Sequence, residues 1–218
     1  MANVPGVVTD PSRIKGGVVS LTSGGAQIPA YMARPNQPGN YPGIVVIQEA
    51  FGLVDHICDL ARRFANIGYN ACAPALYWRR GAPKDPDVME QVFPVMFGLP
   101  DNEALQDLNA AIDCWGGFIH RATPDAETTP ARPKAPLDMV GQLHCPLFGV
   151  FGEEDQNPPV ALEAELKKRA QAAGKDVTTK IYKNAGHAFL ADYRPSYREA
   201  AAQELWGDIQ SYFGKHLK

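Results

Sequence analysis

Positive charge is not in excess in this chain. Lysine and arginine number 21 against 24 aspartates and glutamates, a formal net charge of −3, and the pI is near 5.9. Nucleic-acid binding needs a basic face to neutralise phosphates, so that class of partner is excluded. Long apolar runs are missing as well. Gly43–Ile47 and Pro146–Phe151 are strand-sized, far short of the roughly 20 residues a membrane helix requires. The opening residues, Met1-Ala2-Asn3-Val4-Pro5, have neither a basic nor an apolar leader region, so no secretory signal is expected. Cysteine is scarce. Cys58, Cys72, Cys114 and Cys145 show no Cys-x-x-Cys spacing, and the five histidines stand apart from one another. A zinc site, a disulfide framework and a metal cofactor are therefore not expected, and reduced thiols fit a cytoplasmic protein.

What remains is the composition of an ordinary globular domain, 45% apolar and 21% charged over 218 residues. That length suffices for one α/β domain, residues 1–218, with a well-buried core. The periodicity supports the class. Gly17–Thr22 and Gln27–Arg34 flank Ser23-Gly24-Gly25 and predict a hairpin. Gly43–Ile47 is a β-branched run typical of a strand buried on both faces. Asp55–Ile67 places Ile57, Leu60, Ala61 and Phe64 on one helical face and stops at Gly68. Tyr69–Leu76 follows as the next strand, and strand–helix–strand in this rhythm implies a mostly parallel sheet.

Further helices are predicted over Asp87–Met96 and Asn102–Ala111, then a short strand over Ile112–Gly117. The prolines at 124, 130, 133 and 136 make Thr123–Leu137 a loop. Cys145–Phe151 reads as a strand, Pro158–Ala173 as an amphipathic helix closed by Gly174, Val177–Tyr182 as a strand and Arg194–Leu217 as a closing helix. Two loops then draw attention. Gly152-Glu153-Glu154-Asp155 and Ala185-Gly186-His187-Ala188-Phe189 each follow a strand, an acid first and a histidine second. That is the chain order of the last two members of an α/β-hydrolase triad.

The segments Val45–Leu53, Ala73-Pro74-Ala75-Leu76-Tyr77, Cys145–Asp155 and Asn184–Phe189 together resemble the dienelactone hydrolase family of α/β-hydrolases. The likeness spans most of residues 16–217. It implies a mostly parallel sheet flanked by helices, and hydrolysis of carboxylic ester or lactone bonds in small molecules by acyl transfer. It implies His187 as general base and Asp155 as the acid that orients it. By the same resemblance Glu49 pairs with a resting thiol, the Ala50 amide is an oxyanion donor, and Arg79 beside Trp78 binds a substrate carboxylate. Leu190 and Ala191 stand where the family's other carboxylate-binding arginine lies, which puts the usual dienelactone substrate in doubt.

The departure from the pattern is as specific as the match. No serine or cysteine here has glycine two residues before it, so the Gly-x-Cys-x-Gly-Gly elbow that carries the family's nucleophile is absent. The helix Asn102–Ala111 runs directly into Ile112–Gly117. One central strand–helix unit is missing, on the order of 30–40 residues. Cys114-Trp115-Gly116-Gly117 reproduces half an elbow, but Ile112 occupies the position where the strained turn needs glycine, so Cys114 is a poor candidate nucleophile. Two expectations follow: a severely impaired hydrolase, or a non-catalytic binder of small carboxylates derived from one by deletion. No cofactor or membrane is expected in either case, and the state is a monomer or a homodimer.

Overall fold

A computed structural model of the protein describes residues 4–23, 26–85, 88–99 and 134–217. The chain divides into two compact units, Gly6–Ala111 and Met1–Pro5 with Ile112–Lys218.

The first unit is built on a four-stranded sheet in the order β1-β2-β4-β3. Strands β1 (Ile14–Ser23) and β2 (Ala26–Pro35) form the expected antiparallel hairpin, paired from Ile14 with Pro35 to Ser23 with Ala26. β4 (Asn70–Pro74) runs antiparallel to β2, and β3 (Gly43–Val45) runs parallel to β4. Parallel neighbours need a crossover, and α1 (Asp55–Asn66) supplies it. Its residues Ile57, Leu60, Ala61, Phe64 and Ala65 are buried, a spacing that forms one continuous apolar stripe. α1 packs on β2 and β4, where Ala30, Ala33, Ala71 and Ala73 are almost wholly buried. Methyl-sized side chains there let the helix lie close to the sheet. Gly68, at φ +98°, ends the helical segment in the left-handed conformation that glycine adopts without strain.

β3 is shorter than its apolar run. Val46 still donates to the Cys72 carbonyl at 2.8 Å, but the ladder ends there because the chain turns into the Glu49–Gly52 bridge. Beyond β4, α2 covers Met89–Gly98, two residues later at each end than its sequence pattern suggests.

The second unit centres on β5 (Leu147–Gly152) and β6 (Val177–Tyr182), parallel and in register from Leu147 with Val177 to Gly152 with Tyr182. α3 (Ala161–Ala172) connects them. Leu137, Val140, Phe151, Leu166 and Ala170 form the buried cluster beneath it. Pro136–Gln142, whose first residues fall at the end of the predicted loop, is a 3₁₀ helix that buries Leu137 and Val140. α4 (Glu199–His216) closes the unit and buries Ala201, Ala202, Leu205, Trp206, Ile209 and Phe213.

Both long helices begin later than expected. At Pro158 the chain makes a Gln156–Pro159 bridge and a turn before α3 starts. At residues 191–198 it makes successive turns, and the Arg198 amide is drawn to the Phe189 carbonyl at 3.1 Å. The predicted helix Asn102–Ala111, the strand Ile112–Gly117 with Cys114, and most of the Thr123–Leu137 loop lie outside the described residues. Among the described residues β3 pairs only with β4, and β5 only with β6.

Candidate active site

Two adjacent parallel strands end side by side, so the loops that leave them are neighbours. β5 ends at Gly152 and β6 at Tyr182, which are register partners. The loop after β5 carries Asp155 and the loop after β6 carries His187. His187 Nδ1 lies 3.1 Å from Asp155 Oδ2. Oδ1 of the same carboxylate accepts from the Asn157 amide at 2.7 Å. Both carboxylate oxygens are thus engaged, and the Asp155 side chain is only 2% exposed while that of His187 is 46% exposed. An ionised Asp155 makes Nδ1 the donor and leaves Nε2 as a proton acceptor on the open side of the ring.

The histidine loop is held from below. Ala185, Ala188, Phe189, Leu190 and Ala191 are all buried, so His187 stands out from an otherwise anchored segment. The Phe189 and Tyr182 rings pack at 5.3 Å. Tyr182 in turn donates its hydroxyl to Asp208 of α4 at 2.7 Å. Ala188 sits at φ +59° and Asn184 at φ +52°. A left-handed alanine is strained by about 1 kcal/mol or more, the kind of cost surrounding contacts must impose.

The first unit, by itself, carries the other expected residues in and after the turn that follows β3. Gly52, at φ +92°, donates to the Glu49 carbonyl at 3.1 Å and closes a tight loop. Two side chains fix it. Gln48 Oε1 accepts from the Leu76 amide at 2.9 Å, and the Tyr77 hydroxyl donates to the Ala50 carbonyl at 3.2 Å. Trp78 and Arg79 follow directly, with the Arg79 guanidinium 4.3 Å above the Trp78 ring. A guanidinium stacked on an aromatic face is held there by cation–π attraction.

The cysteines read differently. Burial pushes the Cys72 thiol up, and burial with Asp55 and Asp59 nearby does the same to Cys58 against the pull of Arg62. Raised thiols are poor nucleophiles at neutral pH. Cys114 lies outside the described residues. Several supporting groups were not legible as such in the sequence: Gly152, Glu153 and Asn157 around the acid, Gln48 and Tyr77 around the turn. Only Asn157 carried a signal, since Asp-x-Asn favours a local side chain-to-backbone turn.

The dienelactone hydrolase family model matches residues 28–122 and 122–217. A relative from Methylorubrum extorquens named "Putative carboxymethylenebutenolidase" is 35% identical, the alignment covering 96% of this chain and 84% of that protein. The chain belongs to the dienelactone hydrolase family. An Escherichia coli K12 relative of the same name is 33% identical, over 96% of this chain and 90% of the other. The crystal structure of a "Putative Dienelactone Hydrolase" from Klebsiella pneumoniae superposes with a TM-score of 0.80 at 32% identity, covering 93% of this chain and 99% of that one. The fold is accordingly that of the α/β-hydrolases, mixed sheets flanked by helices. The Methylorubrum alignment spans 245 positions. Since 96% of 218 residues is about 209, about 36 of those positions have no residue of this chain opposite them. Among the described residues no helix is long and apolar enough to cross a membrane.

Proposed function

We propose that the chain is a single-domain carboxylic ester or lactone hydrolase of this family that keeps the acid and base and lacks the nucleophile elbow. The observation that carries the acid–base assignment is the 3.1 Å contact between His187 and the buried Asp155. The sequence carries the rest: no serine or cysteine follows a glycine by two residues. The roughly 36 unmatched positions of the Methylorubrum alignment have the size of a strand–helix unit.

In this reading Asp155 holds His187 in the tautomer whose Nε2 accepts a proton, and stabilises the cation that results. With no thiol to activate, the base acts on water. Losing the nucleophile of such a triad costs about 10⁶ in kcat, so turnover is slow. Glu49 and the Ala50 amide retain the places of the thiol partner and oxyanion donor, and Arg79 with Trp78 that of the carboxylate subsite. Leu190 and Ala191 are 2% and 0% exposed, so the position of the second arginine presents no cation. The substrate class is therefore a small ester or lactone with less anionic character than a dienelactone. The protein works in the cytoplasm without a cofactor, as a monomer or homodimer.

Hydrolysis of an activated aryl acetate by folded wild type, Cys114→Ala and His187→Ala tests this. The expected result is slow turnover, unchanged in Cys114→Ala and lost in His187→Ala. Fast turnover that disappears in Cys114→Ala would overturn it, because Cys114 would then be the nucleophile.

A further inference from the structure

The acid and base loops are joined at more than the acid–base contact. The Glu153 amide donates to the Tyr182 carbonyl at 2.9 Å, and the Glu154 amide to the Ala185 carbonyl at 2.8 Å. These are backbone contacts that any sequence could make. One contact is not: the Glu153 carboxylate Oε2 accepts from the Asn184 amide at 3.0 Å. Asn184 is the left-handed residue that swings the chain out of β6 and into the histidine loop, and asparagine is among the residues that tolerate that conformation. Glu153 is thus bound by its backbone to the end of β6 and by its side chain to the first turn beyond it.

We propose that Glu153 is a positioning residue for His187. Its carboxylate fixes the left-handed turn at Asn184, and through that turn the distance of the imidazole from Asp155. The proposal rests on the reading of His187 as the base. The geometry it concerns is measurable without turnover, so a failed hydrolysis assay leaves it standing. Glu154 supplies the internal comparison: it too is an exposed glutamate on the same loop, and its side chain makes no hydrogen bond or ion pair among the described residues.

The test is NMR on the full chain, following the Asn184 amide and both ring nitrogens of His187 in wild type, Glu153→Ala, Glu153→Gln and Glu154→Ala. Glu153→Ala is expected to speed solvent exchange of the Asn184 amide about fivefold, the value of one exposed hydrogen bond. It also moves the His187 ring-nitrogen signals from a single tautomer toward a mixture. Glu153→Gln, which keeps an acceptor oxygen at the same reach, restores both signatures, and Glu154→Ala changes neither. Wild-type His187 signals in Glu153→Ala, or equal effects in Glu154→Ala, would overturn the proposal. If Glu153→Ala does not fold, Glu153→Asp places the same charge on a shorter stem: loss of the single-tautomer signature supports the tether, and its retention overturns it.

Discussion

Gly152→Ala should disturb the acid–base pair without touching either member. A β-carbon at residue 152 would stand 2.4 Å from the Ala185 carbonyl oxygen and 3.0 Å from both its carbon and the Gly186 oxygen. To bring the first contact even to 3.0 Å, the end of β5 and the histidine loop must part by at least about 0.6 Å. The obstruction is backbone on both sides, so no side chain can rotate to absorb it. Overpacking of this kind costs about 1–3 kcal/mol. For a chain of this size that is a fall in Tm of about 2 to 12 °C. The same displacement carries Ala185 and Gly186 away from Asp155, and a 3.1 Å contact lengthened by 0.6 Å no longer counts as a hydrogen bond. Thermal unfolding and the His187 ring-nitrogen spectrum should therefore change together. A variant with Tm within about 1 °C of wild type and an unaltered His187 spectrum would refute the argument.

Two predictions concern stability alone. Burial pushes the Glu163 carboxyl up, but hydrogen bonds from Lys167 and Thr179 outweigh it and hold it below the ordinary glutamate range. A depressed folded-state value means stability present above the unfolded pKa and lost as pH falls through the folded one. Glu163→Gln should thus be less stable than wild type near neutrality, and denaturation curves taken into acid should show the gap closing; a gap independent of pH would rule this out. Tyr212 is pushed up to about 12, first by burial and then by Asp176 and Cys145, and its buried hydroxyl has no hydrogen-bond partner among the described residues. Because burial disfavours the tyrosinate in the folded state, the fold loses stability only as pH climbs past the unfolded value of 10.0 toward 12, and the neutral hydroxyl adds none at neutral pH. Tyr212→Phe should be as stable as wild type or slightly more so at neutral pH, and should lack the last-titrating tyrosinate absorbance. Marked destabilisation at pH 7 would show that the hydroxyl has a partner.

The parts of the fold legible in the sequence were those governed by short-range pattern. The hairpin, α1 and β6 follow from alternation or helical spacing, and their bounds differ little from expectation. The starts of α3 and α4 were misplaced because proline is a genuine start signal that tertiary contacts here override. Pro158 and Pro195-Ser196 sit in turns whose amides go elsewhere, Arg198 to Phe189 above all. At the site, Asp155 and His187 stand out because their order along the chain and their flanking residues match the family pattern, and the structure brings the two side chains to 3.1 Å. Glu153 does not, since an acidic residue on a surface loop looks the same whether it is solvated or bonded to a distant amide. Gly152 was equally silent: a glycine at a strand end does not announce which carbonyl lies against it.

The parallel pairing of β5 with β6 also bears on how the acid and base find each other during folding. Asp155 and His187 are 32 residues apart, joined by one strand–helix–strand crossover. The length-dependent entropy of closing such a loop is about 3 kcal/mol. That cost falls entirely within residues 147–187, and the burial of Phe151, Leu166 and Ala170 within the same stretch opposes it. The acid–base pair therefore forms only as the parallel pairing of β5 with β6 forms, with α3 packed against β6 to hold the crossover.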